Sequence, residues 1–203
     1  GIPYVVVGGL RFYDRREIKD LLAYLRLLVN PADTVSLLRV INVPKRGIGK
    51  TTIQRLTDAA NQLGIPLWDV VSDAEAVRSL GGRSARGLLQ FCELLHDLRR
   101  QVQEVAPSEL IQQVMEKSGY VSELIAEGTD EAEERRRNLQ ELVNAALQYQ
   151  EENEEGDLEG FLATAALSSD ADSKDTAADR VTLMTLHSSK GLEFPVVCLV
   201  GLE

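Results

Sequence analysis

The chain has 203 residues and a mass of 22.4 kDa, with 44% hydrophobic and 27% charged residues, enough to bury one large core or two modest ones. No apolar run approaches the roughly 20 residues of a membrane span and no basic-then-apolar leader opens the chain, which points to a cytoplasmic protein without a membrane partner. The net charge of −10 argues against a nucleic-acid partner only when taken whole, because residues 1 to 100 carry 15 basic against 10 acidic side chains and the remainder 7 against 22. A polyanion is therefore expected to meet the first half.

Pro3 to Val7 is a β-branched run closed by Gly8-Gly9, the pattern of a buried strand ending in a tight turn. Asp14 with Glu17 has the spacing of a capping box, and Ile18, Leu21, Leu22, Leu25 and Leu28 then recur at helical spacing until Asn30-Pro31. Further helical patterns run at about 34–42, 51–63, 66–72, 84–105, 108–118, 120–127, 131–152 and 157–168, with stops at Gly64, Gly119 and Gly128. Ser168 to Asp179 is too poor in large apolar side chains to order itself and reads as a linker. Beyond it, Val181 to Leu186 and Val196 to Val200 are β-rich runs. The predicted fold is mainly α: an all-helical domain inserted into part of a parallel-sheet α/β domain.

Gly49-Lys50-Thr51 imitates the end of a phosphate-binding P-loop, but Pro44 stands where that motif needs its first glycine, and a capped helix over Asp33 to Asn42 precedes it rather than a strand. Read otherwise, Pro44-Lys45-Arg46-Gly47-Ile48-Gly49-Lys50-Thr51-Thr52 is a glycine hairpin between two helices. Its backbone amides, three cations and two hydroxyls at a helix start make an anion site; a plain connecting turn with solvated cations is the other reading. Arg11 beside Phe12 allows a phosphate contact next to an aromatic face, although Phe12 also suits the core, and Arg15, Arg16 and Lys19 have acidic neighbours on a solvated face. Trp68, Phe91, Cys92 and His96 fall at packing positions. Cys92 and Cys198 form no paired spacing and are expected to be buried thiols. The acidic stretches at Glu127 to Glu134 and Glu151 to Glu159 lack the register of a calcium loop, so no metal site is expected.

Gly8-Gly9-Leu10-Arg11-Phe12-Tyr13-Asp14-Arg15-Arg16-Glu17-Ile18-Lys19-Asp20 is similar, almost residue for residue, to the segment near the fourth conserved motif of the UvrD/Rep/PcrA family of superfamily 1 DNA helicases. Thr185-Leu186-His187-Ser188-Ser189-Lys190-Gly191-Leu192-Glu193-Phe194 resembles their motif V. The glycine hairpin falls where the family carries a duplex-binding hairpin, and Tyr13-Asp14 departs mildly from a frequent Phe-Glu. The resemblance implies an internal segment of such a helicase. Residues 1–32 and 180–203 would belong to the RecA-like motor domain 2A, and 33–179 would be the helical accessory domain 2B, ending in its acidic linker.

By the same resemblance the whole helicase uses ATP and Mg²⁺ and moves 3′ to 5′ on single-stranded DNA. Gly191 and Glu193 would contact ATP, the latter at the ribose. Arg11, Thr185, His187 and Lys190 would contact the single strand and couple it to the nucleotide state, with Lys190 equally suited to capping a turn. Lys45, Arg46, Gly47, Gly49, Lys50, Thr51 and Thr52 would grip duplex. The Walker loops and the motif VI arginine lie outside the matched segments, so this chain alone is expected to bind no cofactor, to hold no catalytic residue and not to hydrolyse ATP. DNA at a single-strand/duplex junction, and repair or replication proteins, are the implied partners, with the nucleoid as the implied setting. The alternative is a protein-interaction or autoinhibitory module, with the acidic helices as its docking face and no DNA contact.

Overall fold

The structure, a computed structural model, describes residues 4–7, 12–154, 156–171, 181–184, 186, 189–191 and 193–200. Strand β1 (Tyr4–Val7) lies parallel to β2 (Val181–Met184), with Tyr4 opposite Val181 and Val7 opposite Met184. Ten helices run between them among the described residues: α1 (Arg16–Val29), α2 (Thr34–Val40), α3 (Lys50–Leu63), α4 (Leu67–Ser72), α5 (Ala74–Leu80), α6 (Ala85–Arg100), α7 (Pro107–Lys117), α8 (Tyr120–Glu127), α9 (Asp130–Glu152) and α10 (Leu158–Ala171). None of them is long and apolar enough to cross a membrane.

Helix α1 is the hub. It is apolar on nearly every side, with only Arg16, Lys19 and Arg26 exposed, as a helix must be when neighbours surround it. It packs on α2, α6, α7, α9 and α10, and Ile18, Leu21, Tyr24, Leu25 and Leu27 are fully enclosed. Each such side chain contributes about 1.5–3 kcal/mol of burial free energy. A second layer joins α7 to α9, where Leu110, Ile111 and Val114 are buried, as are Leu139, Leu142, Val143 and Ala146.

Two carboxylates are buried along α1, and each accepts side-chain hydrogen bonding from a distant element. Asp20 accepts from Arg39 Nε at 2.8 Å and from the Tyr120 hydroxyl at 2.9 Å, tying α2 and α8 to the hub. Glu17 accepts from Asn138 Nδ2 at 2.7 Å, and Arg15 donates to the same asparagine's Oδ1. That bond explains one departure from expectation: Glu17 closes no capping box, because its side chain is used 121 residues away. Asp14 lies in a short 3-10 turn, ion-pairs Lys19 at 2.7 Å, and leaves Arg15 at the N-cap with no side-chain cap.

The predicted helices are present with ends shifted by a few residues, and α5 is an addition. The 84–105 pattern stops at Arg100, and α10 runs on to Ala171 into the expected linker, whose remainder lies outside the described residues. Val196 to Val200 forms no strand; Val196 and Val200 are 81% and 88% exposed, and no described segment pairs with the run. A strand exists only with a neighbour to satisfy its backbone, whatever its β-propensity. Cys92 is buried as expected, whereas Cys198 on that same unpaired segment is exposed.

Candidate nucleic-acid interface

The hairpin between α2 and α3 begins with a turn that Asn42 organises. Its Oδ1 accepts from the backbone amides of Arg46 at 2.8 Å and Ile48 at 3.1 Å, so one side chain fixes both limbs of the loop. Ile48 is the anchor, only 2% exposed between Gly47 and Gly49, which both face solvent. Gly47 has φ +72°, a left-handed conformation that a side chain would strain, and no atom lies within 4 Å of where its Cβ would be. Backbone is thus presented outward at both glycines.

A third segment braces the loop from behind. Ser84 Oγ donates to the Gly47 carbonyl at 2.8 Å and lies 3.2 Å from Thr52 Oγ1. One turn on, Gly87 lets α6 approach so closely that a Cβ there would collide with the Arg46 carbonyl. The sequence placed Ile48 in the hairpin without marking it as the anchor, and gave no role to Asn42, Ser84 or Gly87; of these three only Gly87, a glycine inside a helical pattern, left a signal.

Arg46 differs from the other cations of the loop. Its Nη1 donates to the carbonyls of Pro44 (3.1 Å) and Val40 (3.3 Å), and its Nη2 to the Tyr24 hydroxyl (2.6 Å) and the Ser118 carbonyl (3.3 Å). The guanidinium also sits 5.2 Å from the centre of the Phe91 ring and 5.9 Å from that of Tyr24, within cation–π range. The Tyr24 hydroxyl donates in turn to the Val43 carbonyl at 2.5 Å. Burial pushes that phenol up to about 12, with the Arg46 charge and hydrogen bond working against the rise. The guanidinium therefore points into the fold, joining the loop to α1, α6 and the end of α7.

Lys45, Lys50 and Thr51 are exposed, and Thr52 is half-buried on Ser84. Among the described residues neither lysine's ammonium has a carboxylate within 4.0 Å, and Glu123 accepts from the Lys45 backbone amide at 3.5 Å. Gly49 caps α3 without a side-chain bond, so the amides of Lys50 and Thr51 at its first turn have no intrahelical acceptor. Outward-facing amides, the positive end of a 14-residue helix and two free ammonium groups form an anion-attracting edge. It forms a ridge on which Lys45, Gly47, Gly49, Lys50 and Thr51 all face solvent, and a cavity of about 420 Å³ lined by Leu28, His96, Arg99 and Asp157 lies apart from it.

The model of the UvrD-like helicase C-terminal domain matches residues 1–203. The chain belongs to that family. This UvrD-like domain is 41% identical over 204 residues to the ATP-dependent DNA helicase PcrA of Staphylococcus aureus, and equally so to that of Staphylococcus epidermidis. It is 39% identical over 208 residues to the PcrA of Leuconostoc citreum. Each match takes in 100% of this chain and 28% of the relative, so the chain spans little more than a quarter of the curated relatives' length.

Of the remaining expected site residues of the UvrD-like domain, Arg11, Thr185 and His187 lie outside the described residues. Lys190 and Gly191 occupy a turn beyond β2, both exposed, with Gly191 at φ +84° and open space where a Cβ would be. The Ser189 hydroxyl closes that turn on the Leu186 carbonyl at 2.9 Å, and Glu193 follows with its carboxylate in solvent. Phe12 packs half-buried against the core, edge-on to Tyr13 with ring centres 5.1 Å apart, while Trp68 is a buried core residue.

Proposed function

We propose that this chain is the duplex-gripping and nucleotide-coupling part of an ATP-driven DNA helicase that moves 3′ to 5′ along single-stranded DNA. Family membership and the PcrA relatives support the helicase reading. The observation that carries the chain's own role is the ridge: Lys45, Lys50 and the uncapped start of α3 face outward, held by Asn42, Ile48 and Ser84. Such an edge binds phosphates without reading bases, which suits a grip that must accept any sequence. In this reading Gly47, Gly49 and Thr51 supply backbone and hydroxyl donors, while Thr52, whose amide donates to the Gly49 carbonyl and whose hydroxyl is engaged by Ser84, braces the loop together with Arg46 from inside.

Residues 1–32 and 180–203 are read as two parts of one motor domain and 33–179 as an accessory lobe inserted between them; the parallel pairing of β1 with β2 supports that arrangement. ATP and Mg²⁺ would supply the driving chemistry in the whole helicase. The positive φ and open backbone of Gly191 and the solvent-exposed position of Glu193 suit close approach of a nucleotide and acceptance of its ribose hydroxyls. Arg11, Thr185, His187 and Lys190 complete the single-strand contacts in this reading.

The test is binding of a hairpin duplex as a function of salt. The expected result is affinity that falls steeply with salt, with the slope reduced by roughly 0.9 for each phosphate that is no longer neutralised, hence by nearly two in Lys45→Ala/Lys50→Ala. An unchanged slope in that variant refutes the site and favours the protein-docking alternative. DNA-stimulated ATP turnover by this chain alone would contradict the assignment of catalysis to other parts of the helicase.

A further inference from the structure

Two stretches of the sequence are free of acidic residues yet carry many cations. Residues 34 to 57 hold Arg39, Lys45, Arg46, Lys50 and Arg55, and residues 76 to 92 hold Arg78, Arg83 and Arg86. The fold brings these two stretches into contact at the glycine ridge. Ser84 bonds the Gly47 carbonyl and the Thr52 hydroxyl, and Gly87 lies directly under the Arg46 carbonyl. Ser84 and Gly87, three residues apart, are thus the contact face of the segment from Gly81 to Gly87.

Arg83 precedes Ser84 in a 3-10 turn and Arg86 precedes Gly87 in α6, so each lies about 100–120° around the axis from the contact residue that follows it, to one side of the contact face and not opposite it. Both are exposed, and neither has an acidic partner within 4.0 Å among the described residues. An exposed arginine beside an acidic chain's few basic ridges, with no carboxylate to pair with, keeps its full charge and its bidentate donors available.

We propose that Arg83 and Arg86 form a second phosphate-binding ledge, packed against the glycine ridge, so that the sugar–phosphate backbone of duplex DNA is held by two adjoining rows of cations rather than by one loop. The inference rests on the duplex-gripping reading and extends it to a segment that no motif marks. The ridge donates from Lys45, Lys50 and the first amides of α3. The ledge adds two guanidinium forks, and the Ser84 bonds fix the spacing between the rows. Because both rows address phosphates, the added grip is independent of base sequence.

Equilibrium binding of a hairpin duplex by the 203-residue chain tests this, measured across a tenfold range of salt for the wild type, Arg83→Gln/Arg86→Gln, Lys45→Ala/Lys50→Ala, and the control Arg100→Gln, whose arginine pairs with Asp97. Glutamine suits the helix start and spares the Ser84 contacts, and helical content and melting temperature are expected to stay at wild-type values. The ledge variant should lose about 1.8 from the slope of log affinity against log salt, roughly a 60-fold change across the range, equally for duplexes of different sequence, with the control unchanged. A wild-type slope in the ledge variant alongside a reduced one in the lysine variant overturns the ledge and leaves the ridge standing. Wild-type slopes in both overturn the ledge together with the reading on which it rests.

Discussion

Arg46 separates two roles that a loop cation can play, and replacing it with methionine tells them apart. The methionine keeps most of the apolar stem against Phe91 and Tyr24 but removes four donated hydrogen bonds, to Val40, Pro44, Tyr24 and Ser118. A hydrogen bond from a charged donor contributes about 1.5–3 kcal/mol net. Two of the four are long, at 3.3 Å, and the site is only half-buried, so water can replace part of what is removed. The expected destabilisation is about 2–4 kcal/mol, from bonds of this type at partial burial. Urea unfolding followed by far-ultraviolet circular dichroism should show it as a midpoint about 1–2 M lower, for a slope near 2 kcal/mol/M. The salt slope of duplex binding, by contrast, should stay within error of the wild type under conditions where the variant is folded, because the guanidinium neutralises no phosphate. Lys50→Met should do the reverse, losing about 0.9 from the slope while stability moves by no more than about 0.5 kcal/mol. An Arg46→Met protein of wild-type stability with a slope reduced by about one would refute the internal role and return Arg46 to the DNA.

Three further outcomes are expected. Gly87→Ala should destabilise the chain by about 1–3 kcal/mol, the usual range for overpacking, because its Cβ meets the Arg46 carbonyl, and a melt unchanged within error would contradict that close approach. Asp33→Ala should cost about 1 kcal/mol through removal of an N-cap. Partial burial works to raise the Asp33 carboxyl, but the hydrogen bonds from Ser36 and the Arg26 charge outweigh it and hold the group below its ordinary 3.8. Its contribution is therefore complete above about that pH and disappears as pH falls through the lowered value, so wild-type and variant melts should converge in acid; a gap that persists there would exclude the carboxylate. Burial, aided by the neighbouring Glu93, pushes the Cys92 thiol up to about 12, and its sulfur is directed at the Val71 carbonyl. A disulfide reagent at pH 8 should therefore label exposed Cys198 quickly and Cys92 only on unfolding, and two fast thiols would show that the α4–α6 packing opens readily.

The long amphipathic helices were legible because their apolar spacing is also their burial pattern, as in Ile18, Leu21, Leu25 and Leu28 of α1. Helix α5 escaped because only Val77 of it is buried, although Asp73, which accepts from the amides of Glu75 and Ala76, had announced its start. The capping box at Asp14 and Glu17 was a local pattern overridden by a distant partner, Asn138. Much the same holds for the loop. Its glycines, lysines and position between helices could be read in the chain, whereas the inward turn of Arg46 depends on Tyr24, Phe91 and Ser118, which no local spacing connects to it. Val196 to Val200 shows the converse limit, since β-propensity says nothing of whether a pairing neighbour is present.

The strand pair has a mechanical consequence. The chain leaves β1 at Val7 and re-enters β2 at Val181, and in the parallel register these two residues lie at opposite ends of the ladder, three steps or about 10 Å apart along it. Tension transmitted through everything between them draws the two strands past each other lengthwise, loading their cross-links simultaneously instead of peeling them one by one. Any load carried by the helices is thus met by the geometry in which a short ladder resists best.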